Sequence, residues 1–251
     1  QVGFAVDPKI TNSEGATVST SESQFIYANS LDFMGGYPVS RHSVSCALIA
    51  EHNESKQRDY WYSVARDAVD LESAQEIGRK TGLRSAARLG ARKIATCEVP
   101  VIFEAPIASS LIGHFASAIS GGSLYRKSSF LLDSIGEQVF APDIQILDLP
   151  YLPKGLGSGP FDEDGVATME RKIVENGIVQ GYFLGSYSAR KLKMDTTGNA
   201  GGAHNLIIQS ANTLDVPALL KKLHTGLLVT ELLGHGVNGV TGDYSRGASG
   251  F

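Results

Sequence analysis

Glu175-Asn176-Gly177, set between residues 166–174 and 178–184, is the stretch that decides the fold. Asn-Gly is the favoured pair for a two-residue type I′ turn, which needs positive φ at both central positions, so the flanking segments are predicted to be antiparallel strands. Working outward toward the C-terminus, residues 186–192 read as a short helix and Leu206-Ile207-Ile208 as a strand. Residues 216–223 read as a helix with Pro217 in its first turn, where the missing N–H costs nothing. Residues 226–233 and 239–251 are predicted closing strands. Toward the N-terminus, 100–104 reads as a short buried strand. A helix over 107–120 follows from the spacing of Ile107, Leu111, Ile112, Phe115 and Ile119, ended by Gly121-Gly122.

The first ninety residues carry strands and then a helix. Strands are predicted over 16–30, 41–51 and 60–66, with a turn at Met34-Gly35-Gly36-Tyr37-Pro38 and a hairpin closed near Asn53. Residues 71–89 change period, with Leu71, Ala74, Ile77, Gly78, Leu83, Ala86 and Ala87 on one helical face, interrupted near Gly82. Strands and helices do not alternate, which excludes a doubly wound parallel sheet. The expected class is α+β: mixed, mostly antiparallel sheets with a few packing helices, in two domains. The boundary falls in 92–99, giving a central domain over 1–95 and a C-terminal domain over 96–251.

Composition limits the function classes. The chain has 251 residues, 42% hydrophobic and 19% charged, enough to bury a substantial core. A net charge of −4 gives no footprint for nucleic acid. The cations near the end of the 71–89 helix (Arg79, Lys80, Arg84, Arg88) read better as a solvated face. Cys46 and Cys97 are too few for a disulfide framework or zinc ribbon and fit a reducing cytoplasm. No apolar run reaches the length of a membrane span. The absence of an initiator Met and the abrupt end at Phe251 read as a piece of a longer protein.

Thr196-Thr197-Gly198-Asn199-Ala200-Gly201-Gly202-Ala203-His204-Asn205 concentrates glycines and small polar residues, either as tight turns or as a ligand-facing loop. Lys154-Gly155-Leu156-Gly157-Ser158-Gly159-Pro160 has its lysine before the glycines and a proline where a donor is needed, so it reads as a flexible loop rather than a phosphate cradle. Asp162-Glu163-Asp164-Gly165 reads as a solvated acidic turn, without the full calcium-loop pattern. Ser245, in Gly242-Asp243-Tyr244-Ser245-Arg246-Gly247, lacks the spacing of a nucleophile elbow. On the 107–120 helix, His114 stands without an acidic neighbour or a second histidine at helical spacing. It therefore reads as a packed or hydrogen-bonded histidine rather than a zinc ligand. His204 and His235 both lie in glycine-rich loops.

These residues resemble a known family. The loop 196–205, preceded by Ser186-Tyr187-Ser188-Ala189-Arg190-Lys191-Leu192, is similar to the signature of the PmbA/TldD proteins, and within them of the PmbA/TldE branch. Supporting stretches are Ile10-Thr11-Asn12-Ser13-Glu14-Gly15, residues 121–134 including Tyr125 and Arg126, Thr230-Glu231-Leu232, and residues 241–251 including Ser245 and Arg246. The resemblance spans the chain, and family members extend beyond both ends. It implies a cytoplasmic heterodimeric metalloprotease, also labelled modulator of DNA gyrase, that processes peptides such as an antibiotic-peptide precursor and an antitoxin. In the TldD-type subunit a helical His-Glu-x-x-x-His motif binds zinc. Carried over residue by residue, its positions fall on Gly113, His114 and Ala118, which lack the ligands.

The resemblance therefore implies a subunit without metal of its own, paired with a zinc-bearing TldD-like partner or with a second copy of itself. Thr197, Gly198, Asn199, Gly201, Gly202, His204 and Asn205 would form a substrate or interface loop, with no catalytic residue assigned. Tyr125, Arg126, Ser245 and Arg246 are family-motif positions without an assigned role. The alternatives are a metallopeptidase active by itself, through His204 and His235 or through ligands supplied elsewhere in a longer chain, and a protein that acts on gyrase directly.

Overall fold

The computed structural model describes residues 1–211 and 213–251, which form two compact units. One comprises residues 1–26 and 36–96, the other 27–35 and 97–251. The chain is α+β, with mostly antiparallel sheets and a few helices, as expected.

The first unit is a three-stranded sheet in the order β1 (Ile10–Ala28), β2 (Met34–His52), β3 (Ser55–Ala65), followed by α1 (Ala74–Ala87). Strands β2 and β3 pair antiparallel from His42↔Ala65 to His52↔Ser55, and Asn53 turns the hairpin at φ 55°. The expected turn over 34–38 is instead the start of β2; the chain reverses at 29–33, where the Asn29 Oδ1 accepts from the Leu31 N–H. Pro38 is tolerated because it lies outside the stretch of β2 that pairs with β3.

Helix α1 is continuous through Gly82, so the expected interruption does not occur. Its buried face is Ile77, Thr81, Gly82 and Ser85, while Leu83 is exposed. The face is small and polar because backbone lies against it: a Cβ on Gly82 would sit 2.6 Å from the Gly3 carbonyl oxygen. Thr81 and Ser85 satisfy their hydroxyls on the Ile77 and Leu48 carbonyls at 2.7 and 3.0 Å. The cations of this helix are neutralised within the unit. Arg84 and Arg88 meet buried Asp59 at 3.3 and 3.4 Å, Lys80 meets Glu72 at 2.7 Å, and Lys80 and Arg84 both lie over the Trp61 ring. A nucleic-acid footprint needs cations free to meet phosphates.

The second unit holds two sheets. One is four-stranded and antiparallel, in the order β7 (Ile178–Val179), β6 (Arg171–Glu175), β5 (Ile144–Asp148), β8 (Leu206–Ser210). Asn176 and Gly177 have φ of 51° and 79°, the two positive values a type I′ turn needs. The second sheet has the order β10 (Gly247–Gly250), β9 (Leu227–Leu233), β4 (Val101–Phe103), with β4 parallel to β9. Strand β4 is a sheet edge with Val101 exposed, so the expected burial holds only in part.

Four helices complete the unit: α2 (Ala105–Ala118), α3 (Gly121–Tyr125), α4 (Ser186–Leu192) and α5 (Val216–Leu223). Gly121-Gly122 do not end α2 as a cap. They begin α3, because the Ser120 side chain accepts from the Ser123 N–H and starts a new turn. Of the expected closing strand over 239–251, only β10 is extended. The core joins Phe115, Ala118 and Ile119 of the α2 region to Ile146, Ile173, Val174, Val179, Phe183 and Leu184 of the sheet and the chain leaving it.

Candidate functional site

Strand alternation places Asp148 on the face of β5 that carries fully buried Ile146. A buried carboxylate must be fully satisfied, and the loop 196–205 supplies its partners. The Asp148 Oδ2 accepts from the Asn199 Nδ2 at 2.9 Å, and its Oδ1 accepts from the His204 N–H at 2.9 Å. The His204 Nδ1 lies 3.3 Å from Oδ2. Arg171, the cross-strand partner of Asp148, donates from Nη1 to the Asn199 Oδ1 and to the Tyr182 carbonyl, each at 3.0 Å. Burial lowers the Arg171 pKa from its ordinary value, while the negative charge of Asp148 opposes the shift.

Asn199 is therefore the hub: buried, with its amide divided among Asp148, the Gly202 carbonyl and Arg171. The Thr197 Oγ1 accepts from the Leu184 N–H at 2.8 Å and donates toward the Asn199 Oδ1 at 2.8 Å, tying the loop to the buried segment that precedes α4. Gly198, Gly201 and Gly202 take φ of 67°, 94° and 116°, values that side chains with a Cβ rarely adopt.

The two neighbouring loops buttress this one, contrary to their sequence readings. The acidic turn is not merely solvated. Buried Asp162 accepts from the N–H groups of Asp164, Val166 and Ala200, each at 2.9 Å, and Asp164 accepts from the Ser186 N–H that opens α4. The 154–160 segment is likewise held. The Asn205 Oδ1 accepts from the Gly157 N–H at 2.8 Å, while its Nδ2 donates to the Leu149 carbonyl and the Ser158 Oγ at 2.7 and 2.8 Å. A Cβ on Gly157 would fall 2.5 Å from the His204 carbonyl oxygen.

The polar side chains of the loop thus point inward, and Gly201 is its exposed apex. Among the loop's functional candidates, Asn199 and His204 are brought together on Asp148, while Asn205 holds the 154–160 segment; motif reading does not find Asp148 and Arg171, and it takes Asp162 for a solvated residue. A signal for Asp148 existed in the Ile144, Ile146, Asp148 alternation.

The remaining candidates lie elsewhere in the unit. Helix α2 carries Gly113, His114 and Ala118, and the latter two line a cavity of about 260 Å³ together with His235 and Arg246. The His114 ring meets the Tyr244 ring edge-on at 5.9 Å, and its buried Nε2 has no hydrogen-bond partner. The donor set at these three positions does not fit a resident zinc ion, since it offers one imidazole between a glycine and an alanine. No group of three or more His, Cys, Asp or Glu side chains among the described residues is arranged to hold a metal. His235 lines the cavity beside α2, whereas His204 packs against Asp148. Arg126 stacks on Tyr125, which meets Tyr187 of α4 edge-on at 5.6 Å. Ser245 is exposed, its N–H donating to the Gly236 carbonyl. Both cysteines are free thiols, and no helix among the described residues is long and apolar enough to cross a membrane.

Comparison with known proteins gives the same assignment along the whole chain. The PmbA/TldA metallopeptidase central-domain model matches residues 2–89 and the C-terminal-domain model matches residues 96–251. The Metalloprotease PmbA homolog of Haemophilus influenzae is 47% identical over 251 residues, covering 100% of this chain and 56% of that protein. Metalloprotease PmbA of Escherichia coli O157:H7 is 45% identical with the same coverage. The Metalloprotease TldD homolog of Haemophilus influenzae is 26% identical over 208 residues, covering 78% of this chain and 42% of that protein. Among solved structures, a candidate modulator of DNA gyrase from Bacteroides thetaiotaomicron superposes with a TM-score of 0.91 at 28% identity, covering all of this chain and 58% of the other. One from Thermotoga maritima gives 0.90 at 29%, covering 99% and 59%. The chain thus spans a little over half the length of these two PmbA relatives, and over that span it belongs to the PmbA/TldD metallopeptidase family.

Proposed function

We propose that this protein is the non-catalytic subunit of a cytoplasmic, two-subunit metalloprotease that processes peptides, acting beside a zinc-bearing relative of the TldD type. What supports the reading is that Gly113, His114 and Ala118 of α2, the positions that the family resemblance aligns with the metal motif, carry a single imidazole among them. One histidine cannot hold a catalytic zinc, which takes three protein ligands. A second support is that Haemophilus influenzae has both a PmbA homolog at 47% identity to this chain and a TldD homolog at 26%. Two diverged copies in one organism suit a division of labour in which one keeps the metal and the other shapes the substrate path.

The glycine loop suits that role as a rigid wall. Its polar side chains are committed to Asp148, Arg171 and the neighbouring backbone, and the exposed Gly201 is the point where it would meet an extended peptide or the partner subunit. Purification of the full-length protein alone, and together with a His-Glu-x-x-x-His relative, tests the proposal. The expected result is stoichiometric zinc and peptidase activity only in the pair, tracking the partner's metal motif. Stoichiometric zinc with peptide cleavage by the protein alone overturns it.

A further inference from the structure

We propose that the cavity beside α2 is a binding site for an organic carboxylate, with Arg246 as its anchor and His235 as a further donor. Arg246 is half-buried and holds its guanidinium by donating from Nε to the Leu233 carbonyl at 3.2 Å and from Nη2 to the Leu232 carbonyl at 3.5 Å. Those carbonyls orient the fork but do not neutralise it, and Arg246 forms no ion pair among the described residues. A half-buried, oriented guanidinium without a counter-ion is the group that binds a carboxylate through paired N–H···O bonds.

His114 also lines the cavity, its ring edge-on to Tyr244 and its Nε2 buried away from solvent. His235 lies at the exposed rim of the same cavity. Among the described residues lining it there is no Asp or Glu, so nothing present competes with an incoming anion.

Cavity size and apolar lining exclude a bare inorganic ion as the best occupant. The cavity measures about 260 Å³, several times the roughly 30 Å³ share of one water. Ala118, Phe130 and Val237 give it an apolar side. The fitting ligand is a carboxylate carried on an apolar stem. Two sources share that chemistry: the free C-terminus of a peptide and an acidic side chain within one. The site stands on the cavity alone and survives failure of the two-subunit reading.

Isothermal titration of the full-length protein with N-acetyl-leucine and with N-acetyl-leucinamide tests the site. The acid is expected to bind at one site and the amide at least tenfold more weakly. Arg246→Gln should weaken the acid at least tenfold, and His235→Gln should weaken it severalfold, both with unchanged melting temperature. If Arg246→Gln fails to fold, the acid-versus-amide difference in the unaltered protein decides. A short peptide with a free C-terminal Leu, and its amidated form carrying an internal Glu, separate the two sources; binding of either supports a carboxylate site. Equal affinity for acid and amide, no binding of any of these probes, inorganic phosphate binding as tightly as N-acetyl-leucine, or a folded Arg246→Gln variant that binds normally overturns it.

Discussion

Replacing Asp148 by Ala should remove most of the stability of the second unit, because one buried carboxylate holds three groups in place. The substitution leaves the Asn199 amide and the His204 N–H without their acceptor, each a loss of about 1–3 kcal/mol for a buried unsatisfied group. It also leaves half-buried Arg171 without the negative charge that opposes its desolvation, a further loss of about 1–3 kcal/mol. These losses overlap, because Asn199 and Arg171 are themselves bonded. A combined cost of about 4–6 kcal/mol is therefore expected rather than the full sum, against total stabilities of roughly 5–15 kcal/mol for folded domains. Urea unfolding at constant temperature measures it, with the slope checked so that a shift in midpoint reports stability.

The double variant Asp148→Ala with Arg171→Met isolates the charge. If the network is organised as described, Arg171→Met in the Asp148→Ala background should restore part of the loss, since the stranded cation is gone. A cost for Asp148→Ala below about 1 kcal/mol, the size of an ordinary surface change, would refute the reasoning. So would a double variant whose loss equals the sum of the two single losses.

Gly157→Ala drives a Cβ to 2.5 Å from the His204 carbonyl oxygen; it should lower the melting temperature by several degrees, on the scale of about 1–3 kcal/mol for overpacking. Gly113→Ala meets nothing within 4 Å in the middle of α2; it should stabilise by about 0.5–1 kcal/mol, which calorimetry reads as a raised melting temperature. The side-chain hydrogen bond from Arg79 holds the Glu76 carboxyl below its ordinary value of 4.5. The stability this adds is present above that pH and lost as pH falls through the lower folded value. Glu76→Gln should therefore unfold more easily than the parent at neutral pH and match it in strong acid, in paired melting curves.

The parts of the fold legible in sequence are those set by local backbone chemistry. Asn176-Gly177, Asn53 and Pro217 each impose a dihedral or remove a donor, so their turns and helix start follow from residue type. Gly35-Gly36 and Gly82 were misread because their glycines serve close approach rather than turning. A Cβ on Gly35 would meet the Phe161 ring at 2.8 Å, and one on Gly36 the Phe25 carbonyl at 2.9 Å, inside a continuous strand. The glycine loop announced itself, but its partners did not. Asp148, Arg171 and Asp162 are ordinary charged residues in sequence, and only tertiary pairing turns them inward. The acidic turn and the 154–160 loop illustrate the same limit, since their ordering comes from Ala200 and Asn205, some forty to fifty residues away.

The parallel pairing of β4 with β9 sets the order in which this molecule can be assembled. Phe103 sits opposite Val229, so the strand that leads into α2 has no partner until well over a hundred further residues have left the ribosome. Closing so large a loop is entropically costly before its contacts reward it. The four-stranded sheet, whose strands lie within residues 144–210, can form during that interval, whereas the wall that brings Arg246 to His114 must wait. Synthesis from one end thus leaves an apolar strand edge and the flank of α2 uncovered late, which makes this region the one where a chaperone would act and where slow refolding in vitro would originate.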